Sequence, residues 1–494
     1  MIDKATRMLL ESLGRMGRLN ASVAERCARL HASGLADSAR LVSLNGYLVE
    51  RWVNGGLSPL IKSLWAMEQD IADPLLDCLV GRRKLGDCVQ EIGERAHSGT
   101  RYRGLVRRMG GQLFGSARFD GEQVLASNDV FQLSHLPPPE GLQPARTALF
   151  HVGGFIPYGD RVFRFLPEAN LFLPFLRRGL PVYAMEVKPT VSRRRLQRFT
   201  LQELIDTIGE MTGTASRHHG AQKMLIEGYC GLGLPMLTYL AARPEEADSR
   251  FSAAMLMAAP VDARACTLIG EMLESVPRQL LSTRLTLSGV FGRLLGGEPL
   301  RMAIDIPVNT LFYKTRTGQF LTGWKRRGYS AVERIEDLSP EQRLELAGAY
   351  WISPTTFSRH PIPPDFLRTF SRLWQEGLGD DLVLPLRYHG APVSLRAIEQ
   401  RTRIRIAGFY GGEDRLIPAS TADVLMRAMP RRYTHTVHAG AGHVSYIVVP
   451  AMWDSSLPIA FKPGPIDLAL ELARGVSAAP ASARGRPGPA GSPA

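Results

Sequence analysis

The chain of 494 residues is short of cysteine, having five (Cys27, Cys78, Cys88, Cys230 and Cys266), and none of them forms a C-x-x-C pair. An odd, scattered set of this kind argues against a disulfide framework and against a zinc site, so no metal is expected. Long apolar runs are also missing. Nothing approaches the roughly 18 to 20 residues of a membrane span, and the first twenty residues mix Asp3, Lys4, Arg7, Glu11 and Arg15 with apolar positions, unlike a secretory signal. No transmembrane segment and a cytoplasmic location are therefore expected. Nucleic-acid motifs are lacking too. The basic clusters Arg82-Arg83-Lys84, Arg107-Arg108, Arg193-Arg194-Arg195 and Lys325-Arg326-Arg327 lie far apart without interleaved aromatics, which reads as solvated helix faces and loops. The net charge of +13 still biases the surface towards anionic partners such as phosphorylated cofactors.

What is present is an ordinary globular balance, 45% hydrophobic and 22% charged, in a chain longer than one core usually supports. Residues 1–120 repeat apolar positions three and four apart, with Asn20 and Ser22 as helix caps, and predict an appended helical N-terminal domain. From about 121 the period changes. Short runs rich in Val, Phe and Tyr ("EQVLAS", "VFQLSHL", "TALFHV", "PVYAMEV", "KMLIEGY", "AAMLMAAPV", "IRIAGFYG", "YTHTVHAG") alternate with helical stretches at 200–217, 231–243 and 420–429. That alternation predicts an α/β architecture, a mainly parallel sheet with helices on both faces. The core is expected in two parts, 121–262 and 396–474, separated by an insertion over 263–395 that reads as a cap. The last twenty residues, 475–494, contain no aromatic and no acid and read as a disordered tail.

The chemistry-bearing stretch is "LIEGYCGLGLP" at 225–235. Cys230 follows a predicted strand, precedes a predicted helix and is flanked by Gly228, Gly231 and Gly233, which is the context of a nucleophile elbow. Downstream, Asp414 follows "IRIAGFYG" and His443 follows "YTHTVHAG", the nucleophile, acid, base order of the α/β-hydrolase fold. His438 competes for the base but lies within a predicted strand. In this arrangement His443 takes the proton of Cys230, giving a soft nucleophile suited to acyl thioesters. Asp414 either orients the imidazole or activates a second, hydroxyl substrate, and the second role is the expected one because a thiol needs less help than a serine hydroxyl. Backbone donors for an oxyanion are expected from Gly231 and from Gly153 and Gly154 in "HVGGF".

The stretches "VFQLSHLPP", "PEANL" (167–171), "LIEGYCGLG", "AAPVD" (258–262), "HGAPVSLRAI" (389–398), "GGEDRLIP" and "GAGHVSYIVVP" together resemble the polyhydroxyalkanoate synthase family, between about residues 120 and 450. The resemblance implies the α/β-hydrolase fold and an acyltransferase that polymerises 3-hydroxyacyl groups from coenzyme A. It further implies Cys230 as acyl acceptor, His443 as its base and Asp414 as activator of the growing chain's hydroxyl. Acyl-CoA is then a substrate and no cofactor is bound; a homodimer and contact with a polyester granule surface follow from the same likeness. Departures cluster near the chemistry. Leu232 stands where the family has glycine, which predicts a tilted or shifted elbow. Gly153-Gly154 and Pro157-Tyr158 replace a proline pair and an Asn-Lys, and Trp351-Ile352-Ser353-Pro354 replaces a polar cap segment. A thioester hydrolase or acyltransferase using another acyl donor, or a non-catalytic granule-associated protein, remain the alternatives.

Overall fold

The computed structural model describes residues 49–50, 53–154, 159–196, 198–266, 315–352, 461–474 and, apart from positions 364, 367, 368, 370, 371, 374, 375 and 415, residues 363–449. Asn20, Ser22, Cys27, Pro157-Tyr158, Ser353-Pro354, the middle of the insertion at 267–314 and the predicted tail at 475–494 lie outside the described residues.

All eight apolar runs become strands of one sheet: β1 Gln123–Ser127, β2 Phe131–Leu136, β3 Leu149–Val152, β4 Val182–Val187, β5 Met224–Tyr229, β6 Phe251–Met257, β9 Arg405–Gly411 and β10 Tyr433–His438. A separate hairpin, β7 Val383–Tyr388 with β8 Ala391–Ser394, lies between β6 and β9 in sequence. The strand order is β1-β2-β4-β3-β5-β6-β9-β10. β2 runs antiparallel to both of its neighbours, β1 and β4, and every pairing from β4–β3 onward is parallel. This order, with the second strand reversed and the fourth and third exchanged, is the α/β-hydrolase fold.

The central strands are buried on both faces, which is why they read as continuous apolar runs rather than as alternating ones. Along β5, Met224 and Ile226 enter one core with Phe150 and Leu204, while Leu225 and Tyr229 enter the other with Met255 and Phe409. Among the covering helices, α3 (Leu201–His218) starts at a capping box in which Thr200 and Glu203 satisfy each other's backbone N–H. After β5 comes α4, Gly233–Ala242.

The N-terminal helices α1 (Ser58–Leu79) and α2 (Leu85–Leu105) pack with two helices of the insertion, α5 (Arg316–Arg326) and α6 (Pro340–Trp351), the latter against the turn that follows α2. Asp70 accepts from Trp324 Nε1 at 3.1 Å and pairs with Arg95 at 2.6 Å, and Arg101 donates to the carbonyls of Ser330 and Val332. Against the expectation from cysteine count, Cys78 and Cys88 are joined sulfur to sulfur across the α1–α2 turn, with Cα atoms 7.4 Å apart. A single local bridge carries no recurring cysteine spacing, so the sequence had nothing by which to show it.

The turn from β5 into α4 is where the fold tolerates least change. A Cβ on Gly228 would lie 2.8 Å from the Gly233 Cα and 2.9 Å from the Leu232 carbonyl oxygen, both backbone atoms. Gly228→Ala is therefore expected to destabilise the protein by about 1–3 kcal/mol. Gly93→Ala, on the open face of α2 where nothing lies within 4 Å, should instead stabilise by roughly 0.5–1 kcal/mol. Urea midpoints of the two variants check both signs.

Candidate functional site

Cys230 has φ +49°, in the left-handed region that a residue with a Cβ adopts only under strain. It leaves β5, enters a short 3-10 turn over Cys230–Leu232, and hands over to α4 at Gly233. The side chain is thereby lifted, partly exposed, at the carboxyl edge of the sheet and the positive end of a helix. The elbow is in place despite Leu232. Crowding at the turn is relieved one residue later than in the resembled family: a Cβ on Gly233 would sit 2.4 Å from Ala259 Cβ and 2.8 Å from Leu256 Cδ2. Leu232 points into the core and is wholly buried.

His443 follows β10 in a loop tied to the loop after β9. Gly412 N–H donates to the His438 carbonyl at 2.9 Å, and Glu413 N–H to that of Ala441 at 2.9 Å. Asp414 is thus held beneath the imidazole, and His443 Nδ1–H donates to its Oδ2 at 2.8 Å. The other oxygen, Oδ1, accepts from the N–H groups of Leu416 and Ile417, each at 2.9 Å. With Nδ1 committed to Asp414, Nε2 is the nitrogen left for Cys230, whose sulfur lies near enough to favour the charged ring. The three residues predicted from sequence order, Cys230, His443 and Asp414, come together at one sheet edge, His443 bonded to Asp414 and lying beside Cys230.

The side chain of Asp414 is completely buried, whereas that of His443 keeps 20% of its surface exposed. Burial acts to discharge the imidazole, but the carboxylate of Asp414 and the sulfur of Cys230 outweigh it, and the pKa of His443 is held well above the ordinary histidine value. His438 is different. Its Nε2–H donates to the Pro463 carbonyl at 3.0 Å, its Nδ1 accepts from the Tyr446 hydroxyl at 2.8 Å, and burial lowers its pKa. Both nitrogens are committed to structure and the ring is neutral.

The glycine pair after β3 lies next to the elbow, since Leu232 Cδ2 is 3.1 Å from where a Cβ on Gly154 would stand. Gly153 passes so close to the Met185 carbonyl oxygen that a Cβ would fall 1.8 Å from it. Gly154 N–H, expected to face an oxyanion, donates to Asp160 Oδ1 at 2.9 Å. That is a correction: its donor is engaged inside the protein, which leaves Gly231 and Gly153 of the three glycines.

Sequence reading passed over several polar groups here. Tyr229, beside the nucleophile, donates its hydroxyl to the His443 carbonyl and so fixes the base's loop to the elbow. His151 on β3 and Glu227 on β5, wholly buried, meet at 2.5 Å between Nδ1 and Oε2. They hold the strands of the glycine corner and the elbow together three residues before Cys230. A histidine or glutamate inside an apolar strand carries no pairing signal until register is known; here His151 stands opposite Glu227. Among the described residues no cluster suited to a metal ion occurs and no helix is long and apolar enough to cross a membrane.

No protein-family model matches the chain. No curated protein matches it either. Solved structures do. An Acinetobacter baumannii protein assigned as a lipase is similar over 76% of this chain and 97% of its own, at 10% identity and TM-score 0.40. The 2-hydroxy-6-oxo-6-phenylhexa-2,4-dienoate hydrolase of Rhodococcus sp. strain RHA1 is similar over 66% and 93%, at 14% identity and TM-score 0.36. A thermostable carboxyl esterase of Bacillus coagulans is similar over 64% and 88%, at 11% identity and TM-score 0.36. The fold itself rests on the strand order above.

Because the folded-state pKa of His443 is raised, the stabilisation it contributes is complete below the unfolded-state value of about 6.5 and is lost as pH rises through the folded-state pKa. Removing either negative neighbour should pull that pKa down. In Asp414→Asn and in Cys230→Ala the His443 Hε1 resonance is expected to titrate at lower pH than in the unaltered protein, as followed by NMR. An unmoved titration would mean that the imidazole does not sense this pair.

Proposed function

We propose that the protein is a cysteine-dependent acyltransferase that carries acyl groups from a thioester donor, a 3-hydroxyacyl-CoA, through Cys230 to a hydroxyl acceptor. The observation that carries this reading is the placement of the hydrogen-bonded pair His443–Asp414 beside Cys230 on a strained elbow. A thiol in that position, with a base whose charged form is stabilised, is matched to thioester exchange.

In the first step His443 holds the thiol proton while Cys230 Sγ attacks the thioester carbonyl. The oxygen becomes an oxyanion, for which the Gly231 N–H, directly after the nucleophile, is the main donor. The carbon–sulfur bond to coenzyme A then breaks, and His443 passes its proton to the departing thiolate. In the second step the acceptor hydroxyl oxygen attacks the acyl-Cys230 carbonyl, His443 takes the hydroxyl proton, and Cys230 leaves as the thiolate. Water in place of the hydroxyl would yield the free acid.

Asp414 takes the orienting role in this scheme rather than acceptor activation. Its carboxylate is buried behind the ring and its oxygens are occupied by His443 Nδ1–H and two backbone amides, so an acceptor hydroxyl meets the imidazole first. Polymer formation, a homodimer and contact with a granule surface belong to the same proposal and rest on the sequence resemblance.

Incubation with 3-hydroxybutyryl-CoA and intact-mass spectrometry tests the reading. The expected result is one acyl adduct on Cys230, absent in Cys230→Ala and retained in Cys266→Ala. His443→Ala should suppress adduct formation by roughly 10² to 10⁴. In Asp414→Asn the first stoichiometric release of CoA should slow as much as steady-state turnover does. An adduct on another residue sinks the assignment. Polymer among the products supports the synthase, and free acid a hydrolase.

A further inference from the structure

Asp160 opens a 3-10 turn over Asp160–Arg164, with its side chain directed inward and the residue only 6% exposed. Its Oδ1 accepts from Gly154 N–H at 2.9 Å, and its Oδ2 from Val187 N–H at 2.6 Å. Val187 ends β4 and Gly154 lies just past the end of β3, so one carboxylate joins two neighbouring strand ends at the sheet edge that carries Cys230. On its other side the same corner abuts Leu232 of the elbow. The corner is thus held between Asp160 and the turn that presents the nucleophile.

A carboxylate is a costly way to close a turn. Burial pushes the pKa of Asp160 up to about 7, and the N–H groups of Val187 and Gly154 work against that rise, with Glu186 adding to it and His151 opposing it. What a carboxylate alone supplies is two acceptor oxygens for two amides in different strands at once; an asparagine has one.

We propose that Asp160 is a positioning residue for acyl transfer: by clamping Gly154 to the end of β4 it sets the corner against the elbow and thereby shapes the oxyanion side of the site. This rests on the reading of Cys230 as the acyl acceptor. The clamp matters in a step that builds a tetrahedral oxyanion and not in one that does not. Alkylation by iodoacetamide is such a second step, because Cys230 Sγ displaces iodide from a saturated carbon.

The test compares two reactions of Cys230 in the full-length protein. Acylation by p-nitrophenyl butyrate is read as the p-nitrophenolate burst, with the adduct located by mass spectrometry; alkylation by iodoacetamide is read at the same residue. In Asp160→Ala the acylation rate constant should fall on the order of 10²-fold with little change in half-saturation, while the alkylation rate stays within about three-fold. Asp160→Asn, which keeps one acceptor, should fall between, and it carries the test if the alanine variant does not fold. Unchanged or faster acylation would overturn the proposal and leave the cysteine reading standing. An equal loss in both reactions would also overturn it, by making Asp160 a support of the elbow as a whole. Absence of any Cys230 acylation in the unaltered protein would remove the cysteine reading and this proposal with it.

Discussion

The left-handed backbone at Cys230 is the constraint on which the rest of the site depends. A residue with a Cβ is held at φ +49° only if its surroundings stabilise that conformation by more than the roughly 1–3 kcal/mol it costs. The surroundings are visible on both sides. Gly228 and Gly233 let β5 and α4 close to backbone contact, Leu232 fills the core below the turn, and Tyr229 reaches across to the loop of the base. The strained residue is the one whose side chain is left partly exposed, so strain and availability for chemistry are two results of one turn.

Electrostatics at the site follow from depth. Asp414 lies wholly buried and makes its hydrogen bonds to His443 and to two backbone amides, so its negative charge acts on the imidazole through a low-dielectric path. The ring is partly exposed and sits between that carboxylate and the sulfur, and both neighbours favour its charged form over the effect of burial. His438, five residues away in sequence, is neutral because burial disfavours its charge, and its partners, a carbonyl and a hydroxyl, bring no charge to offset that. The same side chain thus plays opposite parts in neighbouring places, and the difference is the charge of what surrounds it.

The sheet edge is also where separate strands are tied to one another. His151 and Glu227 join β3 to β5 beneath the elbow, and Asp160 joins the corner after β3 to the end of β4. Removing one member of a buried pair leaves its partner uncompensated, at a cost of about 3–5 kcal/mol. Such groups are costly to keep inside an apolar core, and here they lie beneath and beside the nucleophile, where relative strand positions set the geometry of the reacting groups.

By itself the sequence determined the eight strands, because strands buried on both faces must be written as short apolar runs, and it determined the order of Cys230, Asp414 and His443, because the fold brings successive strand ends to one edge. It also marked His438 as a strand residue. It could not give what depends on register and direction. That Glu227 meets His151 follows from the pairing of β3 with β5, and that Cys78 meets Cys88 follows from the angle of two helices. The N–H of Gly154 turns to Asp160 because β3 and β4 are neighbours. Which role Asp414 plays was not legible in sequence for the same reason: whether a carboxylate faces an acceptor or the back of an imidazole depends on burial, and burial is a property of the packed tertiary structure.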